Sequence, residues 1–184
     1  MAHIVRDRSS RPFGGRFAAR LLRNRRGGAS LEFALILPMF LLLSTAVLEM
    51  GVMLFVDTVL DGAAADAARR IRTGEAQLSA DPTATFRSRL CDSLYVMVDC
   101  ERVWIDVRPF GSFAAVVAPL QFDEDGEPVD LAFTPGGSGQ ITLVRALYRW
   151  EFLTPIVGRV LGSDGSNALL LVSTNVFRNE PYEL

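Results

Sequence analysis

Residues 33–56 read FALILPMFLLLSTAVLEMGVMLFV and contain one charged residue, Glu49. An α-helix rises about 1.5 Å per residue, so this run is long enough to cross a hydrocarbon core of about 30 Å. A buried helix of a soluble protein is the alternative, but such a helix is seldom apolar on every face over so many turns. The run therefore predicts a transmembrane helix over about residues 33–56, with the lipid bilayer as a partner.

Charge is distributed unevenly around this run. The chain of 184 residues has a net charge of −2. Residues 1–26 hold eight arginines and one aspartate, a balance of +7, whereas the other eleven arginines and twenty acids sum to −9. Arginine-rich flanks of membrane helices stay in the cytoplasm. We therefore expect a basic cytoplasmic leader or tail at residues 1–27 and a periplasmic location for the chain beyond the run.

The helix is predicted to continue past the apolar run, from about residue 29 to residue 73. Gly74 follows the last periodic position and is expected to end the helix. Pro38 is expected to kink it, because proline removes a backbone donor and clashes with the carbonyl of Ala34. The apolar positions that recur at spacings of three and four are Val52, Val56, Val59, Leu60, Ala63, Ala64, Ala67 and Ile71.

A cleaved secretory signal is a second interpretation of this N-terminal region. Its basic start fits, and Ala63-Ala64-Ala65 offers small residues to a signal peptidase. The apolar stretch, however, is about twice as long as the usual 7–15 residues of a signal peptide. The helical pattern also continues through the alanines, so a retained helix is favoured.

The junction before the run reads Arg25-Arg26-Gly27-Gly28-Ala29-Ser30-Leu31-Glu32-Phe33. Glycines at a charged-to-apolar boundary leave the backbone accessible and extendable, as a protease requires. After cleavage between Gly27 and Gly28, the new α-amino group would lie about one helical turn from the Glu32 carboxylate and could stabilise it. An acid one turn inside a membrane helix is by default a functional hypothesis.

The junction resembles that of the TadE/TadG-like pseudopilins of the tight-adherence (Flp-type) pilus system. The resemblance rests on residues 25–38, on Glu49-Met50-Gly51, on the alanine-rich residues 63–70 and on Phe177-Arg178-Asn179-Glu180-Pro181-Tyr182. It implies a minor pseudopilin of the inner (cytoplasmic) membrane that acts in pilus assembly and surface adherence. The family's scissile glycine maps onto Gly27 or Gly28, and its conserved acid, with a role in processing and subunit pairing, maps onto Glu32.

The resemblance also implies the partners: a prepilin peptidase, other pilin or pseudopilin subunits and the pilus assembly machinery. Some family members remain uncleaved, which leaves open an uncleaved, single-pass anchored periplasmic binding or sensor module. We expect no enzyme, no cofactor, no metal site and no nucleic-acid partner. The chain has one histidine, and its serines and aspartates lack a nearby base to activate a nucleophile.

Residues 74–184 predict a small periplasmic α+β domain. Asp81-Pro82 is typical of a helix start, and apolar residues recur every four positions to give a helix over about 82–96. Alternation predicts a strand beginning at Val103 and a second over about 139–152, and the strongly apolar stretch from Ala168 to Phe177 predicts a third, hence an antiparallel sheet of about three or four strands. Cys91 and Cys100 are expected to form a disulfide in the periplasm, with buried free thiols as the alternative.

Overall fold

The computed structural model describes residues 27–94, 98–163 and 166–182. The predicted basic leader at residues 1–26 lies outside these ranges, as does the end of the helix predicted over 82–96. The chain divides into two compact units, and the boundary lies between Ser44 and Thr45. The described part of the first unit is residues 27–44, and the second unit holds the remaining described residues.

The longest element is α1 (Gly28–Arg72, 45 residues), whose ends agree with the sequence prediction to within one residue. It passes through Pro38 without interruption, so the kink expected there stays a prediction. Leucine, alanine and methionine favour helix along its length. The helix ends with Arg69, Arg70 and Arg72 in its last turn, where cations are favourable, and with Gly74 in a left-handed conformation at φ 81°.

Within the first unit, the side chains of α1 are exposed on all sides. None of the residues from 27 to 44 is buried, although most of them are large and apolar. By length and composition, α1 is able to cross a membrane, and the most apolar window of the helix contains no buried residue. Helices that are apolar on every face are found in the core of large proteins or in bilayers.

The described residues of the second unit add three helices, five strands and two short 3₁₀ turns to the last part of α1. These elements are α2 (Glu75–Leu78), α3 (Pro82–Leu94), β1 (Val103–Phe110), β2 (Gln121–Phe122), β3 (Pro128–Val129), β4 (Ile141–Glu151), α4 (Pro155–Leu161) and β5 (Ala168–Arg178), with 3₁₀ turns at Cys100–Arg102 and Phe113–Ala115. The predicted α+β class is confirmed, as are the three predicted strands.

The main sheet has the order β1-β4-β5, and both pairs of strands are antiparallel. Its central strand, β4, is buried at its first eight positions. The free side of β1 is partly covered by the incoming chain, since the Val107 N–H donates to the Ala132 carbonyl and the Thr134 N–H donates to the Val107 carbonyl. Strands β2 and β3 form a separate hairpin around the acidic loop.

The core of the second unit forms where one face of α1 meets α3 and the sheet. Alanines on this face are buried in one cluster with Phe86, Leu90 and Leu94 of α3. The buried apolar residues of α1 begin at Met53 and not at the predicted Val52, because the Val52 side chain lies on the exposed side of the helix. The buried residues of α1 are Glu49, Met53, Val56, Leu60, Ala63, Ala64, Ala67, Ala68 and Ile71.

The first turn of α3 and its last turns are both secured as the sequence predicted. The Ala84 N–H donates to the Asp81 carboxylate at 2.9 Å, which satisfies one of the free donors at the helix start. Cys91 and Cys100 form the predicted disulfide, with their Cα atoms 5.5 Å apart. The bond ties the end of α3 to the turn that leads into β1.

Candidate functional site

The candidate processing junction lies at the start of α1. Gly27 precedes the helix and Gly28 is its first residue, and both are exposed. A Cβ atom at either glycine would meet no described atom within 4 Å, so packing among the described residues does not require glycine at these positions. An exposed glycine pair at the start of a helix is accessible to another protein.

Glu32 lies four residues after Gly28 on α1, and its side chain is exposed. Residues four apart face the same side of a helix, about 6 Å apart along its axis. The structure therefore puts Glu32 and the backbone nitrogen of Gly28 on one side of α1, about one turn apart.

Glu49, the other acid of the apolar run, is buried and has a different environment. Its carboxylate accepts hydrogen bonds from the backbone N–H groups of Leu153 and Thr154, the latter at 3.3 Å. Thr154 is the N-cap residue of α4, and its own side chain makes no capping bond. Glu49 therefore caps α4 from a position about 100 residues earlier in the sequence.

The C-terminal segment fastens the end of α1 to the sheet. The Glu180 N–H donates to the Arg72 carbonyl at 2.8 Å, and the two side chains form an ion pair at 2.9 Å. The buried Asn179 side chain donates to the carbonyls of Pro135 and Gly137 at 3.1 and 3.0 Å. Asn179 and Glu180, which follow β5, therefore both have structural partners on another element or loop.

Tyr182 completes this fastening against the turn after α1. Its ring covers Gly74, where a Cβ atom would lie 2.5 Å from the ring, and its hydroxyl donates to the Gly136 carbonyl at 3.3 Å. Burial raises the pKa of the Tyr182 phenol, and hydrogen bonds with Asn179 and Gln77 only partly offset this rise. The C-terminal motif thus acts, within the described residues, as a structural lock.

The strands β1 and β4 carry a cluster of charged residues with a buried aspartate at its centre. Asp106 is fully buried and lies opposite Arg145 in the register of β1 and β4. Its carboxylate accepts from Arg145 Nε at 3.1 Å, from Arg108 Nε at 2.8 Å and from the Ala132 N–H at 3.0 Å. Burial by itself raises the pKa of Asp106, but these hydrogen bonds and the two guanidinium groups outweigh it and hold the pKa below its usual value.

This cluster is structural rather than chemical in character. Its carboxylate is saturated with donors, and Arg145 also donates to the Ala118 carbonyl at 2.6 Å, so the cluster ties the loop at residue 118 to the sheet. Among the residues that the structure describes, no group of three or more His, Cys, Asp or Glu side chains is arranged to hold a metal ion.

Sequence reasoning located the junction, Glu32, Pro38 and the cysteines, but it assigned no partner to Glu49 or Asp106. A signal for the buried cluster was available, since Arg145 is in phase with the apolar residues Leu143 and Leu147 of the same strand. No comparable signal existed for Glu49, because its partners are backbone N–H groups in a distant segment.

The family model described as TadE-like protein matches residues 27–69. The matched segment begins at Gly27 and covers most of α1, including Glu32, Pro38 and Glu49. The resemblance proposed from the sequence is confirmed over this segment. No curated protein and no solved structure gives a significant match to the chain.

Proposed function

The chain carries a TadE-like domain at residues 27–69, and from this premise we propose that it is a minor pseudopilin in the assembly of a Flp/Tad-type pilus and in surface adherence. Membership of this family suggests a component of the pilus system with a membrane-embedded helix. The single observation that carries the finer proposal is the exposed Gly27-Gly28 pair at the first turn of an apolar helix, followed by Glu32 one turn later.

In this proposal a prepilin peptidase cleaves between Gly27 and Gly28. The peptide bond is hydrolysed, and the new chain begins with the α-amino group of Gly28. That ammonium group and the Glu32 carboxylate carry opposite charges at the start of an apolar helix, where an unpaired charge is costly. Glu32 pairs either with its own ammonium or with that of a neighbouring subunit, which gives subunits in the bilayer a specific point of association.

The proposed span begins near Phe33, with residues 1–27 in the cytoplasm and the second unit, apart from its lipid-facing part of α1, in the periplasm. The eight arginines of residues 1–26 support this orientation, and so does the Cys91–Cys100 disulfide, which forms in oxidising compartments. The predicted span over 33–56 includes a part whose inner face is buried in the second unit. We place only the outer face of that part, at Leu48, Val52 and Phe55, against lipid.

Substitution of Glu32 tests the role in assembly. Glu32→Ala is expected to reduce the number of pili on the cell surface while the protein remains in the membrane fraction at its normal amount, because the variant removes a charge partner and leaves the apolar run intact. Pili are counted by electron microscopy, and membrane protein is measured by immunoblot.

Asp61→Ala is a suitable control for this test, since Asp61 is an exposed acid of the same helix outside the apolar run. This control is expected to leave the pilus number unchanged. A normal pilus number in Glu32→Ala would contradict the pairing role of Glu32. An equal loss of pili in both variants would show that any exposed acid on α1 matters, and it would contradict the specific role as well.

A further inference from the structure

Helix α4 presents an apolar surface to the solvent in the second unit. Leu153, Ile156 and Val160 are 88%, 53% and 76% exposed, although all three are large apolar side chains. Ile156 and Val160 are four residues apart on α4 and therefore lie on one side of it, and Leu153 lies two residues before the helix begins. We call these three residues the α4 apolar surface.

The opposite side of α4 is firmly packed, so the apolar surface has a fixed orientation. Val157 is buried in the core, and Gly158 lies so close to Asn167 that a Cβ atom there would collide with the Asn167 side chain. Asn167 in turn donates from Nδ2 to the Phe152 carbonyl at 2.6 Å. The α4 apolar surface therefore cannot turn inward without the loss of these contacts.

The position of this surface relative to the apolar run is set by Glu49. The Glu49 carboxylate accepts from the N–H groups of Leu153 and Thr154 at the start of α4. Glu49 directly follows residues 33–48, which contain no charged residue. The start of α4 thus lies at the level on α1 where the uncharged run ends.

The same level of α1 carries its own exposed apolar side chains. Leu48, Val52 and Phe55 are exposed and recur at spacings of four and three, so they form a stripe on the side of α1 that faces away from the core. From Glu49 to Phe55 the helix rises about 9 Å. Interfacial helices bury their apolar faces about 5–10 Å deep, at the boundary between headgroups and acyl chains.

We propose that the α4 apolar surface inserts into the interfacial layer of the bilayer that α1 spans, so that the second unit is held against the membrane by α4 as well as by α1. This inference rests on the proposed membrane-spanning role of α1. The partner is a lipid surface, because the apolar side chains lie beside the end of the uncharged run.

The charge of α4 also suits a lipid headgroup layer. Its sequence PIVGRVL has one charged residue, the exposed Arg159, in a chain whose residues from 27 onward sum to −9. An arginine beside an apolar helical face is favourable at the headgroups of anionic lipids. Arg159 therefore marks α4 as a part of an otherwise acidic domain that is compatible with an anionic membrane surface.

Nitroxide labels on single introduced cysteines test the proposal in the full-length chain. The variants are Val160→Cys in α4, Val117→Cys as the matched control and Leu43→Cys as the reference for the span. Val160 and Val117 are 76% and 74% exposed, so neither label should disturb the fold. The labelled proteins, with the native disulfide formed, are placed in nanodiscs of phosphatidylethanolamine and phosphatidylglycerol. The accessibility of each label to oxygen, which prefers lipid, is compared with its accessibility to a water-soluble nickel chelate.

The proposal expects the oxygen-to-nickel accessibility ratio to be highest at position 43, intermediate at 160 and lowest at 117. Equal ratios at 160 and 117, with a high ratio at 43, would overturn the insertion of α4 and leave the span of α1 intact. A low ratio at 43 would overturn both. A third outcome is a label at 160 that is shielded from both reagents when several chains share a nanodisc and becomes accessible when each nanodisc holds one chain. This outcome would identify a second copy of the chain as the occupant and overturn the lipid proposal.

Discussion

A charged residue inside an apolar run is often taken as functional. The presence of Glu49 is instead explained by backbone N–H groups that need an acceptor. The first turn of α4 leaves N–H groups without carbonyl partners in the helix, and the Thr154 side chain makes no capping bond. The Glu49 carboxylate satisfies the backbone N–H groups of Thr154, the N-cap residue, and of Leu153 directly before it. A negative charge at a helix N-terminus is also favourable to the helix dipole.

Glu49→Leu should therefore destabilise the second unit by about 1–3 kcal/mol, because two backbone donors lose their acceptor in a buried place. Glu49→Gln keeps an acceptor oxygen and should cost less. The unfolding of each purified variant in detergent micelles measures the cost, and hydrogen exchange of the Leu153 and Thr154 amides locates it. Unchanged exchange at these two amides in Glu49→Leu would contradict the capping role.

The need for glycine at position 74, in the turn after α1, also depends on a residue that is distant in the sequence. A side chain there meets two obstacles, the positive φ of 81° and the ring of Tyr182. Gly126 has a similar φ of 73°, but a Cβ atom there would meet no described atom within 4 Å. The pair of glycines thus separates backbone strain from the contact with Tyr182.

We predict that Gly74→Ala destabilises the protein more than Gly126→Ala does. Both variants should lose about 1–2 kcal/mol from the left-handed backbone, and only Gly74→Ala must also displace the Tyr182 ring. The free energies of unfolding in urea, in detergent micelles, measure the difference. Equal losses in the two variants would show that the ring of Tyr182 moves away at no cost, and that the C-terminal lock is weak.

Strands β1 and β4 depend on a buried charged pair as well as on apolar packing. Asp106 is fully buried, and its donors come from β1 itself, from β4 and from the loop before β4. Removal of one partner of such a pair leaves the other charge buried without compensation, at a cost of about 3–5 kcal/mol. We expect a cost of this order for Asp106→Asn at neutral pH.

The pair also predicts how stability depends on pH. The pKa of folded Asp106 lies below the ordinary aspartate value of 3.8. The unfolded chain therefore binds a proton at a higher pH than the folded chain does. The stabilisation is fully present above about pH 4 and is lost as the pH falls further, through the folded pKa. Urea unfolding between pH 7 and pH 2.5 should show this decline.

Asp106→Asn should lower stability at pH 7 and flatten the decline below pH 4, since it removes the titrating group. Asp61→Asn, at an exposed acid of α1, is the control and should retain the decline of the parent protein. If the free energy of unfolding of Asp106→Asn fell at acid pH as steeply as that of the parent protein, other carboxylates would be responsible for the effect.

The elements that could be predicted from sequence are those with a long local pattern. Apolar residues alternate at the start of β1 and along β4, β5 begins with a continuous apolar run, and α3 repeats its apolar residues every four positions behind an Asp-Pro start. Helix α4 was not predicted, because its seven residues are too few for a helical period and include Gly158. Its contacts with Glu49 and Asn167 depend on the folded chain.

At the scale of the whole molecule, the candidate processing site was predictable because it is local in the sequence. Arginines, two glycines and an acid lie within nine consecutive residues, and the chemistry follows from that order. The role of the C-terminal Arg-Asn-Glu-Pro-Tyr stretch was not predictable in this way. Its partners are Arg72, Gly74 and the loop at residues 135–137, which the fold brings together.

Removal of the leader would also change the charge of the whole chain. Residues 1–26 contribute +7 to a net charge of −2, so cleavage after Gly27 leaves side chains that sum to −9. In the proposed account the arginines orient the precursor in the membrane, and the working subunit is an acidic protein.

The most direct test of the proposed processing is the intact mass of the membrane-bound protein from cells with and without the prepilin peptidase. With the peptidase, the account predicts a chain that begins at Gly28 and is lighter by roughly 3 kDa, since 27 of 184 residues share a total of 20.2 kDa. Without the peptidase, it predicts the full-length mass. The full-length mass with Met1 retained in both cells would contradict the account and would leave an uncleaved membrane-anchored module in its place.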